Sequence, residues 1–138
     1  MSSFDIHDLF LIEEMVYADV SDLCPSFNLS FQSYASWSGW DQANDGDVVC
    51  HLFSSSFPLN LHRGFESALV LVADRMTDVI MTEIVGGPWP VVTTRFAGQQ
   101  TVLSASITSS GSAAWQSTDW LISVPIGKLR TSSLVNIS

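Results

Sequence analysis

Two long apolar patterns of helical period, several runs that alternate every second residue, and Gly, Pro and Asn-Asp punctuation between them predict an α+β fold. Its expected form is two helices packed on a mostly antiparallel sheet, in the order α-β-β-α-β-β-β. At 138 residues the chain is long enough for one hydrophobic core and short for two, so 1–138 reads as a single domain.

Residues 4–23 predict the first helix. Ile6, Leu9, Phe10, Val16, Tyr17, Val20 and Leu23 fall within one broad arc at 100° per residue. Asp5, Asp8, Asp19 and Asp22 gather beside it, which predicts a ridge of carboxylates flanking the buried face. Asp5 and Asp8 suit the positive end of the helix dipole, whereas Asp19 and Asp22 oppose the negative end and so become candidates for selection by an outside partner. Glu13 interrupts the apolar arc. Three readings follow, taken in that order: the helix breaks there, residues 9–17 are partly strand, or Glu13 is a buried functional carboxylate.

Cys24-Pro25 closes the segment, because the residue before proline is pushed out of helical geometry. Phe27, Leu29 and Phe31 then alternate with polar residues, as in a half-buried strand. Asn44-Asp45-Gly46-Asp47 is a tight-turn signal, and Val48 to Phe53 supplies the return strand of a hairpin. Pro58 and Asn60 introduce the longest helical pattern, about His62 to Val85, stopped by Gly86-Gly87-Pro88. Phe65, Ala68, Leu69, Val72, Ala73, Met76, Val79 and Ile80 form its core face. Val70, Leu71 and Met81 lie on the opposite side among polar residues, so a second layer of the same domain, or a second copy of the chain, should cover them. Strands are expected at Val91 to Phe96, along Val102 to Ile107, and from Trp120 to Ile126, with turns at Ala97-Gly98-Gln99 and Ser109 to Ser112. Pro125 suits a sheet edge or strand end. Residues 130–138 read as a frayed polar tail.

Charge is the feature that leans toward function. Residues 1–62 hold nine acids and neither Lys nor Arg, so this stretch carries the whole net charge of −9. From residue 63 onward five acids meet five bases. A direct nucleic-acid or anionic-membrane partner is disfavoured, since phosphate binding rests on Lys and Arg. A protein with a basic surface is favoured. No run approaches the roughly 18 apolar residues needed to span a membrane, and the N-terminus lacks the basic and apolar regions of an export signal. Cytoplasmic residence is the expectation.

The search for chemistry returns little. No hydrolase, kinase, zincin or dinucleotide motif occurs. Cys24 and Cys50 read as buried thiols, and Cys50-His51 with His62 lacks metal-ligand spacing, so neither metal nor cofactor is expected. His7 near Asp5 and Asp8, and His62 one turn before Glu66, read first as surface residues. The strongest constellation is Tyr34, Trp37 and Trp40 followed by Asp41, Asp45 and Asp47, an aromatic group ringed by acids that suits Arg or Lys on a partner.

The first reading is therefore a small acidic protein-binding module, such as an inhibitor, immunity or anti-defence protein acting on a basic, nucleic-acid-handling enzyme. The second is a self-assembling structural or accessory subunit, supported by a mean hydropathy of +0.27 and by Val70, Leu71 and Met81. An enzyme whose active site the sequence does not mark is the third. Replacing Asp41, Asp45 and Asp47 together by Asn should slow association with the partner at low salt and leave the melting temperature nearly unchanged, because exposed carboxylates steer encounter but add little stability. An unchanged on-rate removes the hairpin from the interface.

Overall fold

The computed structural model describes residues 6–25, 27, 29–33, 47–53, 55–60, 63–94, 98–119, 121–132 and 135–137. The chain is α+β. Helix α1 (Ile6–Val20) precedes strands β1 (Leu29–Ser33), β2 (Asp47–Leu52) and β3 (Ser55–Asn60). Helix α2 (Phe65–Val79) follows and widens into a π-helical turn (Ile80–Val85). Among the described residues, six short strands follow: β4 (Val91–Thr94), β5 (Gln100–Val102), β6 (Ser104–Ile107), β7 (Ala113–Gln116), β8 (Ser123–Pro125) and β9 (Val135–Ile137).

The strands form three antiparallel sheets, ordered β1-β2-β3, β5-β4-β9 and β6-β7-β8. The chain passes between the second and third at Leu103. Leu103, buried and donating its N–H to the Pro90 carbonyl at 3.0 Å, separates β5 from β6 along the chain. What reads in sequence as one alternating run, Val102 to Ile107, thus serves two sheets.

Helix α2 is the hub, packing against α1, β3, β6 and β7. Ala68, Leu69, Val72, Ala73 and Met76 are its buried face. Val70, Leu71 and Met81 are half-buried and pack on the same core, so layers of this chain cover both sides of the helix. The three residues assigned to self-association thus already make contacts within the chain. Thr77 and Thr82 return their hydroxyls to the carbonyls of Ala73 and Asp78 at 2.9 and 2.8 Å, the back-bonding that competes with regular helical hydrogen bonds. The turn ends at Gly86, whose φ of 72° is the left-handed cap expected of glycine.

Several expected elements change. Residues 55–60 are not a helix entry but strand β3, with Phe57 and Leu59 inward and Ser56, Pro58 and Asn60 outward. Pro58 is tolerated because β3 is a sheet edge. Strand β7 was not anticipated: Ala113, Ala114, Trp115 and Gln116 are all buried, which removes the alternation that marks a half-exposed strand. The expected frayed tail instead holds β9, which pairs Ile137 with Val92 and buries Val135.

Helix α1 is unbroken through Glu13 and is turned roughly 60° from the apolar arc of its sequence, at 100° per residue. Ile12, Val16 and Asp19 face inward, and Asp19 is 1% exposed. Its carboxylate accepts the Trp115 indole N–H at 2.7 Å, the Gly127 N–H at 2.7 Å and the Leu129 N–H at 3.0 Å. Charge-assisted hydrogen bonds of this kind contribute about 1.5–3 kcal/mol each against the cost of removing the charge from water. Asp22, one turn on, pairs with Arg130. Gly127 permits the approach: its φ is 98°, and a Cβ there would lie 3.3 Å from both the Cβ and the carbonyl oxygen of Met15. Trp115 continues the cluster, meeting Trp89 edge-on at 5.6 Å.

Burial raises the Asp19 pKa above its ordinary 3.8, against the opposing effects of Trp115, Gly127, Leu129 and Arg130. The folded state therefore holds the proton more firmly than the unfolded state. Stability from this group is fully present below pH 3.8 and declines as pH rises through the folded pKa. Replacing Asp19 by Asn turns one acceptor into a donor facing an N–H and should cost about 1–3 kcal/mol in urea denaturation; Ala should cost more, since all three donors lose their acceptor. The gap between parent and Asp19→Asn should narrow as pH rises above 3.8, and a widening gap would contradict the raised pKa.

Candidate protein-binding face

The rotation of α1 decides which side chains reach solvent. Phe10, Leu11 and Tyr17, three large apolar residues, are 59%, 47% and 40% exposed. Glu14 is exposed among them and Glu13 is half-buried beside them. Phe10, Glu14 and Tyr17 follow one another at helical spacing, so they form a ridge along the outward face. The sequence had assigned Phe10 and Tyr17 to the interior and Asp19 to the surface. The reversal has one cause: an apolar arc scores every Asp as outward and cannot register three N–H groups from residues nearly a hundred or more positions away.

The apolar surface continues beyond α1. The Tyr17 and Phe27 ring centroids are 5.9 Å apart at 54°, and those of Phe27 and Phe53 are 5.7 Å apart at 83°. Phe27 and Phe53 are half-buried. An aromatic row therefore runs from the helix, through the segment after Pro25, to the turn between β2 and β3. Phe53 is the unusual member. Leu52 pairs with Ser55, leaving two residues to connect the strands, and Phe53 takes the first of these positions with φ 54°. Hairpin connections favour Gly, Asn or Asp at such angles, and for a side chain of this size the left-handed region costs about 1–2 kcal/mol. The aromatic ring is kept where a smaller residue would relieve the backbone.

Of the sequence-predicted site residues, Asp8 is half-buried on α1, Asp19 is interior and Asp22 is held by Arg130. They do not form one solvent ridge, because the fold itself uses two of the carboxylates that oppose the helix dipole. Asp5, Tyr34, Trp37, Trp40, Asp41 and Asp45 lie outside the described residues, as does the side chain of Asp47, whose backbone begins β2 opposite Asn60. Phe27 and Phe53 carried no sequence signal as site residues. A bulky residue in a two-residue hairpin connection was the available clue, and it became visible only once β3 was located.

Other chemistry is sparse. Cys24 and Cys50 are free and buried; burial pushes the Cys50 thiol up to about 12, so neither is a ready nucleophile. His51 Nδ1 and Ser56 Oγ are 2.8 Å apart across β2 and β3. Among the described residues no group of three or more His, Cys, Asp or Glu is placed to hold a metal ion, and no helix is long and apolar enough to cross a membrane. Comparison of the chain with protein-family models, curated proteins and solved structures finds no match.

Phe53→Asn isolates the strain. Relief of the left-handed backbone offsets the lost ring contact, itself worth about 0.5–1.5 kcal/mol. Chemical denaturation should place the variant within about 1 kcal/mol of the parent. A loss well beyond that would make Phe53 a core residue and remove it from the face.

Proposed function

We propose that this chain works by binding another protein, that the partner is basic, and that the outward face of α1 with its aromatic continuation is the contact surface. One observation carries the reading. A helix locked into the core on one side by Asp19 presents Phe10, Leu11 and Tyr17 on the other, beside Glu13 and Glu14 and within 62 residues that contain no Lys or Arg. Large apolar side chains at the centre of a contact supply affinity, and surrounding charge of one sign steers encounter and rejects partners of like charge. Anchoring the helix beforehand lowers the ordering cost of binding. Inhibition or escort of a nucleic-acid-handling enzyme is a role that such a surface suits, since the exposed cationic tract of such an enzyme is its complement.

A second copy of the chain suits this face less well. A symmetric contact would place Glu13 and Glu14 of both copies in one interface and bring together two bodies each with a net charge of −9.

The test is capture from the source cell's lysate by the immobilised chain, run beside the variant Phe10→Ser, Leu11→Ser, Tyr17→Ser. The parent should retain a basic protein at about 0.15 M salt and release it toward 1 M, as the screening length falls from about 8 Å to about 3 Å. The triple variant should stay folded, melting somewhat below the parent because the Tyr17–Phe27 ring contact, about 0.5–1.5 kcal/mol, is lost, and should retain none. Capture indifferent to salt, capture of neutral proteins alone, or equal capture by the variant overturns the reading.

A further inference from the structure

We propose that the aromatic corner made by Tyr17, Phe27 and Phe53, with Glu13 at its edge, is a seat for an arginine side chain of the partner; this rests on the reading of α1 as a partner-binding face. Three elements bring the rings together: α1, the segment after Pro25, and the β2–β3 turn. Their mutual inclinations of 54° and 83° keep them from stacking flat on one another. Tyr17 is 40% exposed, and Phe27 and Phe53 pack against the core yet remain only half-buried, so part of the cluster meets solvent, where the electron-rich face of an aromatic ring attracts a cation.

Glu13 supplies the complementary charge. It lies four residues before Tyr17, hence one turn along the same side of α1. It is half-buried, and among the described residues it enters no hydrogen bond or ion pair. A carboxylate partly removed from water one helical turn from Tyr17, with no cation among the described residues paired to it, is incomplete in a way that a guanidinium would complete. The strained Phe53 backbone is an independent sign that the ring matters beyond stability, since Gly or Asn would suit φ 54° better.

Arginine fits better than the other occupants. Its planar guanidinium stacks on a ring while its N–H groups reach a carboxylate, whereas the lysine ammonium is a compact, strongly hydrated point charge. An aliphatic side chain would further desolvate Glu13 and return nothing to it. The fold already uses the same chemistry internally, where Arg75 Cζ lies 5.7 Å from the centroid of the Phe57 ring.

The experiment titrates the full chain with a capped peptide of alternating Arg and Gly, its Lys counterpart, and its citrulline counterpart, which keeps the shape of arginine without the charge. Affinity and the ring resonances of Tyr17, Phe27 and Phe53 are followed by NMR. The Arg peptide should bind most tightly, shift those three rings and the Glu13 amide, and lose about five- to tenfold in affinity with Tyr17→Leu or Glu13→Gln. Both substitutions are conservative and on the helix surface, and unchanged amide spectra elsewhere will show that the fold is intact. Equal binding of Arg and Lys peptides with shifts spread over scattered carboxylates overturns the inference, as does an unaltered affinity in both variants. Salt-sensitive capture through Phe10 and Leu11 without an Arg preference would end the arginine seat and leave the binding face standing; an Arg preference without capture would do the reverse.

Discussion

A carboxylate taken out of water must recover the hydrogen bonds it gave up, and the position of Asp19 depends on three distant donors doing so together. Trp115 contributes an indole from the middle of a buried strand, while Gly127 and Leu129 contribute backbone from a turn near the C-terminus. Each donor constrains something else. The indole fixes the ring against which Trp89 packs. The turn comes close with a glycine at 127, where φ is 98° and a Cβ would lie a tight 3.3 Å from Met15. With both in place, the rotation of α1 about its axis is determined, and so is the set of side chains it turns away from the core.

That rotation links stability to function. Had α1 buried its most apolar arc, Phe10 and Tyr17 would add to the core and Asp19 would be solvated. The observed orientation gives up part of that burial, about 1.5–3 kcal/mol for each large side chain fully withdrawn from water, and holds a polar anchor inside instead. The β2–β3 turn makes a similar concession, with a phenylalanine in a conformation suited to glycine or asparagine. The two concessions fall on the same surface. Departures from local preference that converge in space are the usual mark of a site held for something other than folding.

Much of the architecture was legible wherever one face of an element meets water. Residues 65–85 showed their period and their glycine stop, and the β1–β2 pairing followed from alternation on either side of Asn44 to Asp47. Legibility failed where burial was uniform or polar. Strand β7 has no exposed face to create an alternation, β9 is three residues long, and Pro58 looked like punctuation when it was an edge residue. The site failed for a related reason. Asp19 carries the same local signature as Asp22, yet one is interior and the other pairs with Arg130 near the surface, a difference set by residues more than a hundred positions along the chain. The aromatic group expected from the sequence, Tyr34, Trp37 and Trp40, lies outside the described residues, and the rings of Tyr17, Phe27 and Phe53 that the fold brings together were not legible from composition and charge.

The separation of the Asp19 contacts has a temporal side. Its bonds to Gly127 and Leu129 span 108 and 110 residues, nearly the length of the chain. During synthesis α1 leaves the ribosome about a hundred residues ahead of the turn that anchors it. A helix of 15 residues is marginal by itself in water, and contacts this distant close late because of the loop entropy they must overcome. Over that interval the nascent chain therefore exposes Phe10, Leu11 and Tyr17 together with the interior face that Asp19 later secures. The acids spread along that stretch keep like chains apart during the interval, so the charge proposed to steer a partner also guards the unfinished protein against its neighbours on the same message.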